Sequence, residues 1–130
     1  MLSWGDEREM SRGLDAQVAR DVFGWTDIQL REDVGAIGIP PRDEDGHTVP
    51  FWVEKCQFYI VPEYSSNSDL AGTVLAKMYR WQGLAGETFM EWFDNSHPWD
   101  YPSENWANSI CLHALISVSL ERLEKYDSKR

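Results

Sequence analysis

Nucleophilic catalysis would need a cysteine or a serine beside a histidine, because the histidine takes the proton of the attacking group. The 130 residues contain three histidines and two cysteines: His47, His97, His113, Cys56 and Cys111. His113 stands alone inside a helical pattern, so we predict a structural role for it. The enzymatic alternative is His97 working with Asp94 or Asp100 in a cleft. No catalytic residues are predicted, and we expect a protein that is not an enzyme.

Metal-binding patterns are weak in this sequence. The HExxH and CxxC ligand sets are absent. Asp43, Asp45 and Glu54 fall at positions 1, 3 and 12 of a calcium-loop spacing. Position 6 is Thr48, where the sharp turn of that loop needs glycine, and a hairpin turn at Asp45-Gly46 explains the segment without an ion. Phosphate-binding glycine loops are also missing, so we predict no metal and no cofactor.

Aromatic side chains are more numerous than a core of this size should need. The chain has seven Trp and five Tyr, and several of them fall in predicted loops or near the ends of elements. These are Trp52, Tyr64, Trp81, Trp92, Trp99, Tyr101 and Trp106. Flat rings stack on bases or anchor protein interfaces, because they give a large contact area for little lost rotamer freedom. Any one of these rings can be explained as part of the core or its edge. Only their total number, which exceeds what the core should need, indicates binding.

The segment from Tyr64 to Asp69 has the composition of a small-anion or nucleotide contact. It places hydroxyl groups, an amide and the N-terminus of a predicted helix beside an aromatic ring. An ordinary capped loop is the alternative explanation. We predict that the ligand-binding residues are Tyr64, Ser65, Asn67, Asp69, Trp52, Trp99 and His97.

The formal charge is −10, from 22 acidic and 12 basic residues. This charge repels phosphate backbones, so direct nucleic-acid binding is not expected. It is compatible with a basic protein partner, with mimicry of a nucleic acid, or with solubility alone. An anionic ligand would need local positive potential from basic residues. The candidates are Arg31, Arg42, Lys55, Lys77 and Arg80.

The sequence also bears on cellular location. Its start lacks a basic-then-apolar leader, and the longest nearly uncharged stretch, Ile110 to Leu120, is shorter than the roughly 20 residues that span a bilayer. We therefore expect a cytoplasmic protein without a membrane segment. In a reducing cytoplasm Cys56 and Cys111 should be free thiols, with Cys111 buried in a helix.

Three helices are predicted to position these residues. Helical spacing of apolar residues predicts a first helix from an N-cap at Ser11 to a C′ glycine at Gly24. A second helix should start from an N-cap at Ser68, and a last one should run from Ser103 to about Lys125. The last helix should direct Ala107, Cys111, Ala114, Leu115 and Val118 to the core, and Glu121, Arg122, Glu124 and Lys125 to water.

Strands are predicted between these helices. β-prone residues favour short strands between Trp25 and Ile39, two strands or one bent strand from Thr48 to Val61, and a strand over Glu87–Phe93. Asp43 to Gly46 should form a hairpin turn, and residues 94–102 a loop. The fold class is therefore α+β, with helices packed on a small mixed or antiparallel sheet. We predict one domain over residues 11–125, an N-terminal arm over 1–10 and a C-terminal tail over 126–130.

Three stretches carry a family resemblance. They are Val18-Ala19-Arg20-Asp21-Val22-Phe23-Gly24-Trp25, the run Val61-Pro62-Glu63-Tyr64-Ser65 leading through Asp69-Leu70-Ala71, and Ala107 to Leu115. In this order and spacing they resemble the phage ABA sandwich domain of small phage and prophage proteins. Ser66-Asn67-Ser68 departs from the family pattern as an insertion before the second helix. The long tryptophan-rich loop from Phe93 to Trp106 is unusual for the family, and Met1 to Met10 lies outside the resemblance.

The resemblance implies a three-layer α-β-α sandwich and a phage or prophage setting, and it supplies no catalytic residues. We therefore expect a non-enzymatic counter-defence protein of the host cytoplasm during infection. The favoured form is a homo-oligomeric sponge that sequesters a cyclic-nucleotide immune signal, in the manner of an anti-CBASS protein. The alternative is an acidic protein–protein inhibitor of anti-CRISPR or anti-restriction type, which occupies a nucleic-acid groove of a bacterial defence protein.

Overall fold

The computed structural model describes residues 4–41, 49–96 and 103–128, and the side chains of 11–41, 49–96 and 106–125. Its elements are α1 (Trp4–Asp21), β1 (Thr26–Arg31), β2 (Gly35–Ile39), β3 (Val49–Val53), β4 (Cys56–Ile60), α2 (Ser68–Tyr79), α3 (Leu84–Ser96) and α4 (Ser103–Ser128). The predicted α+β class is confirmed, and the described sheet is antiparallel. Contacts divide the chain into two compact units, residues 1–63 and 64–130. The three-layer arrangement stays a prediction.

The first unit is built on a sheet with the strand order β1-β2-β4-β3. β3 and β4 form a hairpin whose register runs from Val49 opposite Ile60 to Val53 opposite Cys56. The segment predicted as two strands or one bent strand is therefore two strands. The register of β1 against β2 shifts between Thr26 and Gln29, where Asp27 has a φ of 52°. The predicted turn from Asp43 to Gly46 lies outside the described residues.

Helix α1 packs on β1 and β2 of the same unit. Its apolar face buries Val18, Ala19 and Val22, as the helical spacing predicts. Gly24 follows the helix with a φ of 80°, and the amide of Trp25 donates to the carbonyl of Ala19 at 2.9 Å, so the predicted helix stop is confirmed.

The start of α1 corrects the sequence prediction. The helix begins at Trp4, so the N-cap predicted at Ser11 is wrong, and residues 4–10 are helical where we expected an arm. The stretch contains Glu7, Arg8, Glu9 and Met10, which are good helix formers. Gly5 costs helix stability without ending the helix.

The second unit consists of α2, α3 and α4, which pack against one another in pairs. Residues 87–93, predicted as a strand, lie inside α3, so that prediction is wrong. Ala85 and Phe89 are buried at i, i+4 spacing, which is a helical pattern. The partial alternation of polar and apolar residues in this stretch instead suggested a strand. α3 continues to Ser96, and residues 97–102, the rest of the predicted loop, lie outside the described residues.

Two further boundaries differ slightly from prediction. The N-cap of α2 is Asn67, and Ser68 is already in the helix. Ser103, predicted as the N-cap of the last helix, is the first residue of α4. The helix runs to Ser128, so residues 126–128 are helical and not part of a tail. The predicted core residues of α4 are buried, except for the half-buried Leu115.

Candidate functional site

The predicted ligand segment leads into the N-terminus of α2. The side-chain oxygen Oδ1 of Asn67 accepts hydrogen bonds from the backbone amides of Asp69, at 2.9 Å, and Leu70, at 3.2 Å. The donors that an anion would use are therefore occupied by the chain's own cap. Tyr64 is only 3% exposed and Ser65 is buried, while Asn67 and Asp69 are exposed. The segment thus offers a ligand no exposed ring.

The other predicted site residues lie elsewhere. Trp52 projects from β3 of the first unit, opposite Gln57, and is 61% exposed. Trp99 and His97 lie outside the residues that the structure describes. Of the aromatic surplus, Trp81, Trp92 and Trp106 are half-buried, as the core-edge explanation has it. Tyr79, which we did not predict as a site residue, is 73% exposed.

A groove lies between α2 and α3 in the second unit. Its volume is about 570 Å³, within the range of pockets that bind small organic molecules. We call it the α2–α3 groove. Its lining residues are Gly72, Leu75, Ala76, Tyr79, Arg80, Met90 and Phe93.

The sequence of α2 explains why the groove is open. Leu75, Ala76 and Tyr79 follow Gly72 at i+3, i+4 and i+7, which places all four on one face of the helix. A Cβ added at Gly72 would meet no atom within 4 Å, so the missing side chain leaves free space in the groove. This second apolar stripe, beside the buried Ala71, Val74 and Met78, is the signal in the sequence that could have identified the site.

Polar chemistry in the groove is limited to the C-terminal end of α2. Arg80 is the C-cap residue of α2, and its Nε donates to the carbonyl of Ala76 at 3.4 Å. The exposed ring of Tyr79 precedes it directly in the sequence. The groove therefore combines apolar walls with two aromatic residues, Tyr79 and Phe93, and one guanidinium. None of its seven lining residues is an acid, a histidine, a cysteine or a serine, so the lining supplies no ordinary nucleophile or general base.

A buried carboxylate holds α3, the second wall of the groove. Glu121 of α4 is 7% exposed, which overturns its predicted position in water. Its oxygens accept from Nε1 of Trp81, at 3.2 and 3.3 Å, and from the amide of Ala85, at 3.2 Å. The free N–H groups and positive dipole end of α3 compensate the burial of the charge. Lys125 Nζ lies 3.9 Å from the same carboxylate.

The far end of α3 packs on α4 through aromatic rings. Trp92 stacks on His113 with ring centroids 3.9 Å apart and an interplanar angle of 9°. Phe89 lies 5.5 Å from Trp92 and so extends the cluster into the core. Burial lowers the pKa of His113, because a less hydrated site disfavours the charged imidazolium. The ring is thus held mainly neutral at pH 7 and serves as packing surface.

The remaining findings limit the chemistry further. Among the described residues, no three His, Cys, Asp or Glu side chains cluster in a way that could hold a metal ion. Cys56 is exposed and Cys111 is buried, and neither forms a disulfide. None of the helices, over the parts described, has both the length and the apolar character needed to cross a bilayer.

Comparison with known proteins adds no relative. No protein-family model matches this chain, and neither does any curated protein or any solved structure. The resemblance to the phage ABA sandwich domain therefore stays a prediction.

Proposed function

We propose that this chain is a non-enzymatic binding protein that holds a small anionic nucleotide in the α2–α3 groove. The observation that carries the proposal is that the groove combines apolar walls, the exposed ring of Tyr79 and the guanidinium of Arg80. A base can stack on an aromatic ring, and a guanidinium can make two parallel hydrogen bonds to a phosphate. A cyclic nucleotide presents both groups in one compact molecule, so it is the ligand class we favour.

The biological role belongs to the same proposal and is supported by the sequence resemblance alone. A homo-oligomeric sponge in the cytoplasm of an infected cell would sequester an immune signal by binding it and would need no chemistry. A groove whose lining has no ordinary nucleophile or base suits that task. The binding energy would come from stacking and burial of the base, with the phosphate fixing orientation.

The second unit is the less acidic of the two and so repels an anionic ligand less. Residues 64–130 carry nine acidic and six basic residues, a net charge of −3, against −7 for residues 1–63. Lys77 adds a second exposed cation near the C-terminal end of α2. Glu91 and Asp94 are exposed on α3 and oppose an anion. We therefore expect apolar and stacking contacts to contribute more than electrostatic attraction.

Gly72→Leu is the sharpest test, because it fills the groove without a clash at its Cβ. A thermal-shift screen of cyclic di- and trinucleotides should find one that raises the melting temperature of the wild-type protein by several degrees, since a ligand that binds only the native state stabilises it by mass action. Gly72→Leu should abolish that shift. Gly13→Leu is the matched control, because Gly13 also lies in a helix with open space around its Cβ.

Two results would refute the nucleotide proposal. The first is a screen in which no nucleotide shifts the wild-type melting temperature. The second is an equal shift in the wild-type protein and in Gly72→Leu, which would place the ligand outside the groove. Tyr79→Ala and Arg80→Ala should separate the two contacts, because loss of the ring weakens binding of any base while loss of the guanidinium weakens only phosphorylated ligands.

The acidity of the first unit favours a second candidate, the acidic protein–protein inhibitor. The first unit has 13 acidic and six basic residues. Glu32 and Asp33, between β1 and β2, are two of its exposed acidic residues. Such an inhibitor should block DNA binding by a purified bacterial nuclease, and the block should weaken as salt is raised. Charge reversal by Glu32→Lys and Asp33→Lys should reduce inhibition. If inhibition changes neither with salt concentration nor in these two variants, inhibition by the acidic surface is excluded.

A further inference from the structure

Each wall of the α2–α3 groove supplies one aromatic ring. Tyr79 comes from α2 and Phe93 from α3, and both residues line the groove. Phe93 is half-buried and lies near the fully buried Phe89, with ring centroids 6.3 Å apart and an interplanar angle of 21°. Tyr79 is the more exposed of the two. The groove thus has a ring held by the core on one wall and a largely exposed ring on the other.

Few polar groups of the groove could recognise the edge of a base. Of the described residues that line it, only Tyr79 and Arg80 have oxygen or nitrogen atoms in their side chains. The hydroxyl of Tyr79 can donate or accept a hydrogen bond, so it does not distinguish adenine from guanine. The guanidinium of Arg80 binds the phosphate in the proposed function. Recognition of one purine against the other needs donors and acceptors fixed opposite the base edge, and the described lining has no carboxylate or amide side chain for that task.

We infer that the groove selects nucleotides by the size of the base, so that purines bind more tightly than pyrimidines while adenine and guanine bind alike. The base lies between Phe93 and Tyr79, with its polar edge toward water. Every base has a π face, so stacking does not depend on the pattern of hydrogen-bonding groups. It does depend on contact area, and the two fused rings of a purine cover more of an aromatic side chain than the single ring of a pyrimidine. This inference rests on the proposed function and names the class of base that the groove takes.

Phe93 contributes more to this preference than Tyr79. Its ring packs near Phe89 and also lies 6.4 Å from the ring of Trp92, centroid to centroid. A ring that neighbouring side chains hold in place loses little conformational freedom when a base stacks on it. The exposed ring of Tyr79 must be ordered during binding, which offsets part of its stacking energy. The residue on α3 is therefore the pre-organised stacking surface, and the residue on α2 completes the site.

Isothermal titration calorimetry of the full chain with matched ligands tests the selection. The probes are four cyclic dinucleotides that contain only adenine, guanine, cytosine or uracil, together with the four corresponding cyclic trinucleotides. Within the ring size that binds, we expect the adenine and guanine compounds to have dissociation constants within about threefold of each other. The cytosine and uracil compounds should bind about tenfold more weakly, because less of each base is stacked.

Phe93→Leu keeps an apolar side chain in the groove and removes its ring. It should weaken the purine compounds about tenfold and reduce the difference between purines and pyrimidines to about threefold or less. Phe93→Tyr restores a ring and should restore the preference. Met90→Leu is the matched control, because it conserves the volume of another lining residue without changing a ring. Tyr79→Leu should have a smaller effect, and since Tyr79 is exposed it tests the ring contact even where Phe93→Leu lowers the stability of α3.

The outcomes separate this inference from the proposed function. Equal affinity for purines and pyrimidines, or a difference between adenine and guanine larger than about threefold, would overturn the size selection even where Gly72→Leu abolishes binding. A preference for purines that survives both Phe93→Leu and Tyr79→Leu would overturn it as well, because neither ring would then select the base. If none of these compounds binds the wild-type protein, the nucleotide proposal itself fails, and the inference fails with it.

Discussion

The two units of this chain differ in net charge and in the polar groups that join their elements. In the first unit, small residues let the strands and the segment after α1 approach closely, and Gly38 is where that approach is tightest. In the second unit, one buried carboxylate, Glu121, joins α4 to the start of α3 through hydrogen bonds. The first unit carries a net charge of −7 and the second −3. Close packing at a glycine therefore occurs in both units, at Gly38 in the first and at Gly86 in the second, and the unit with the groove adds a buried carboxylate between two helices.

The largest expected effect is at Glu121, the anchor of α3 on α4. Glu121→Ala should lower the free energy of unfolding by about 3 kcal/mol, because it leaves the indole N–H of Trp81 and the amide of Ala85 without their buried acceptor. Glu121→Gln keeps one acceptor oxygen and should cost less. Urea unfolding measures both, with Glu124→Ala on the exposed side of the same helix as the control. A Glu121→Ala protein as stable as the control would show that Glu121 is no anchor.

The corresponding test in the first unit is Gly38→Ala. The added Cβ would lie 2.9 Å from Cγ1 of Ile28, 3.1 Å from the carbonyl oxygen of Thr26 and 3.2 Å from Cε3 of Trp25. Since the backbone oxygen and the buried indole cannot easily move, we expect a loss of about 2 kcal/mol from overpacking. Urea unfolding again provides the measurement. An unchanged stability would mean that the sheet relaxes around the added methyl group.

Sequence patterns predicted α1, α2 and α4 because each buries a regular apolar stripe, but they did not predict α3. Trp92 and Phe93 have high strand propensity, and local propensity favoured a strand, whereas packing of Ala85 and Phe89 against neighbouring helices stabilises a helix. The burial of Glu121 could not be predicted from the sequence either. A glutamate in a charged C-terminal stretch normally faces water, and only the position of α3 supplies the donors that make its burial favourable.

The α2–α3 groove is not the site that the sequence predicted. The sequence predicted an aromatic ring beside the N-terminal amides of a helix, whereas the groove has Tyr79 and Arg80 at the C-terminal end of α2. Sequence reasoning chose the N-terminal end of α2 instead, because Tyr64 and the serines there resemble a ligand contact. It could not tell that Tyr64 is buried or that Asn67 occupies the free amides.

Gly13→Ala and Gly72→Ala compare how much an added methyl group stabilises a helix in each of the two units. Both positions have open space around the new Cβ. A Cβ at either position meets nothing within 4 Å, so each change should stabilise the protein by about 0.5 to 1 kcal/mol through reduced freedom of the unfolded chain. Thermal unfolding of both single variants and the double variant would show additive gains if the sites are independent. A loss of stability in Gly72→Ala alone would mean that the groove face of α2 is strained.

The smallest expected effect is the pH dependence of the second unit. Because burial lowers the pKa of His113, the unfolded chain takes up a proton near the ordinary histidine pKa of about 6.5 while the native state still resists it. The stability that depends on neutral His113 is therefore complete above that pH and falls as the pH drops toward the native pKa. His113→Phe keeps a ring against Trp92 and removes the titration. Urea unfolding at pH 7.5 and 5.5 should show a larger loss in the wild type than in this variant, and equal losses would mean that the stack does not sense the charge of His113.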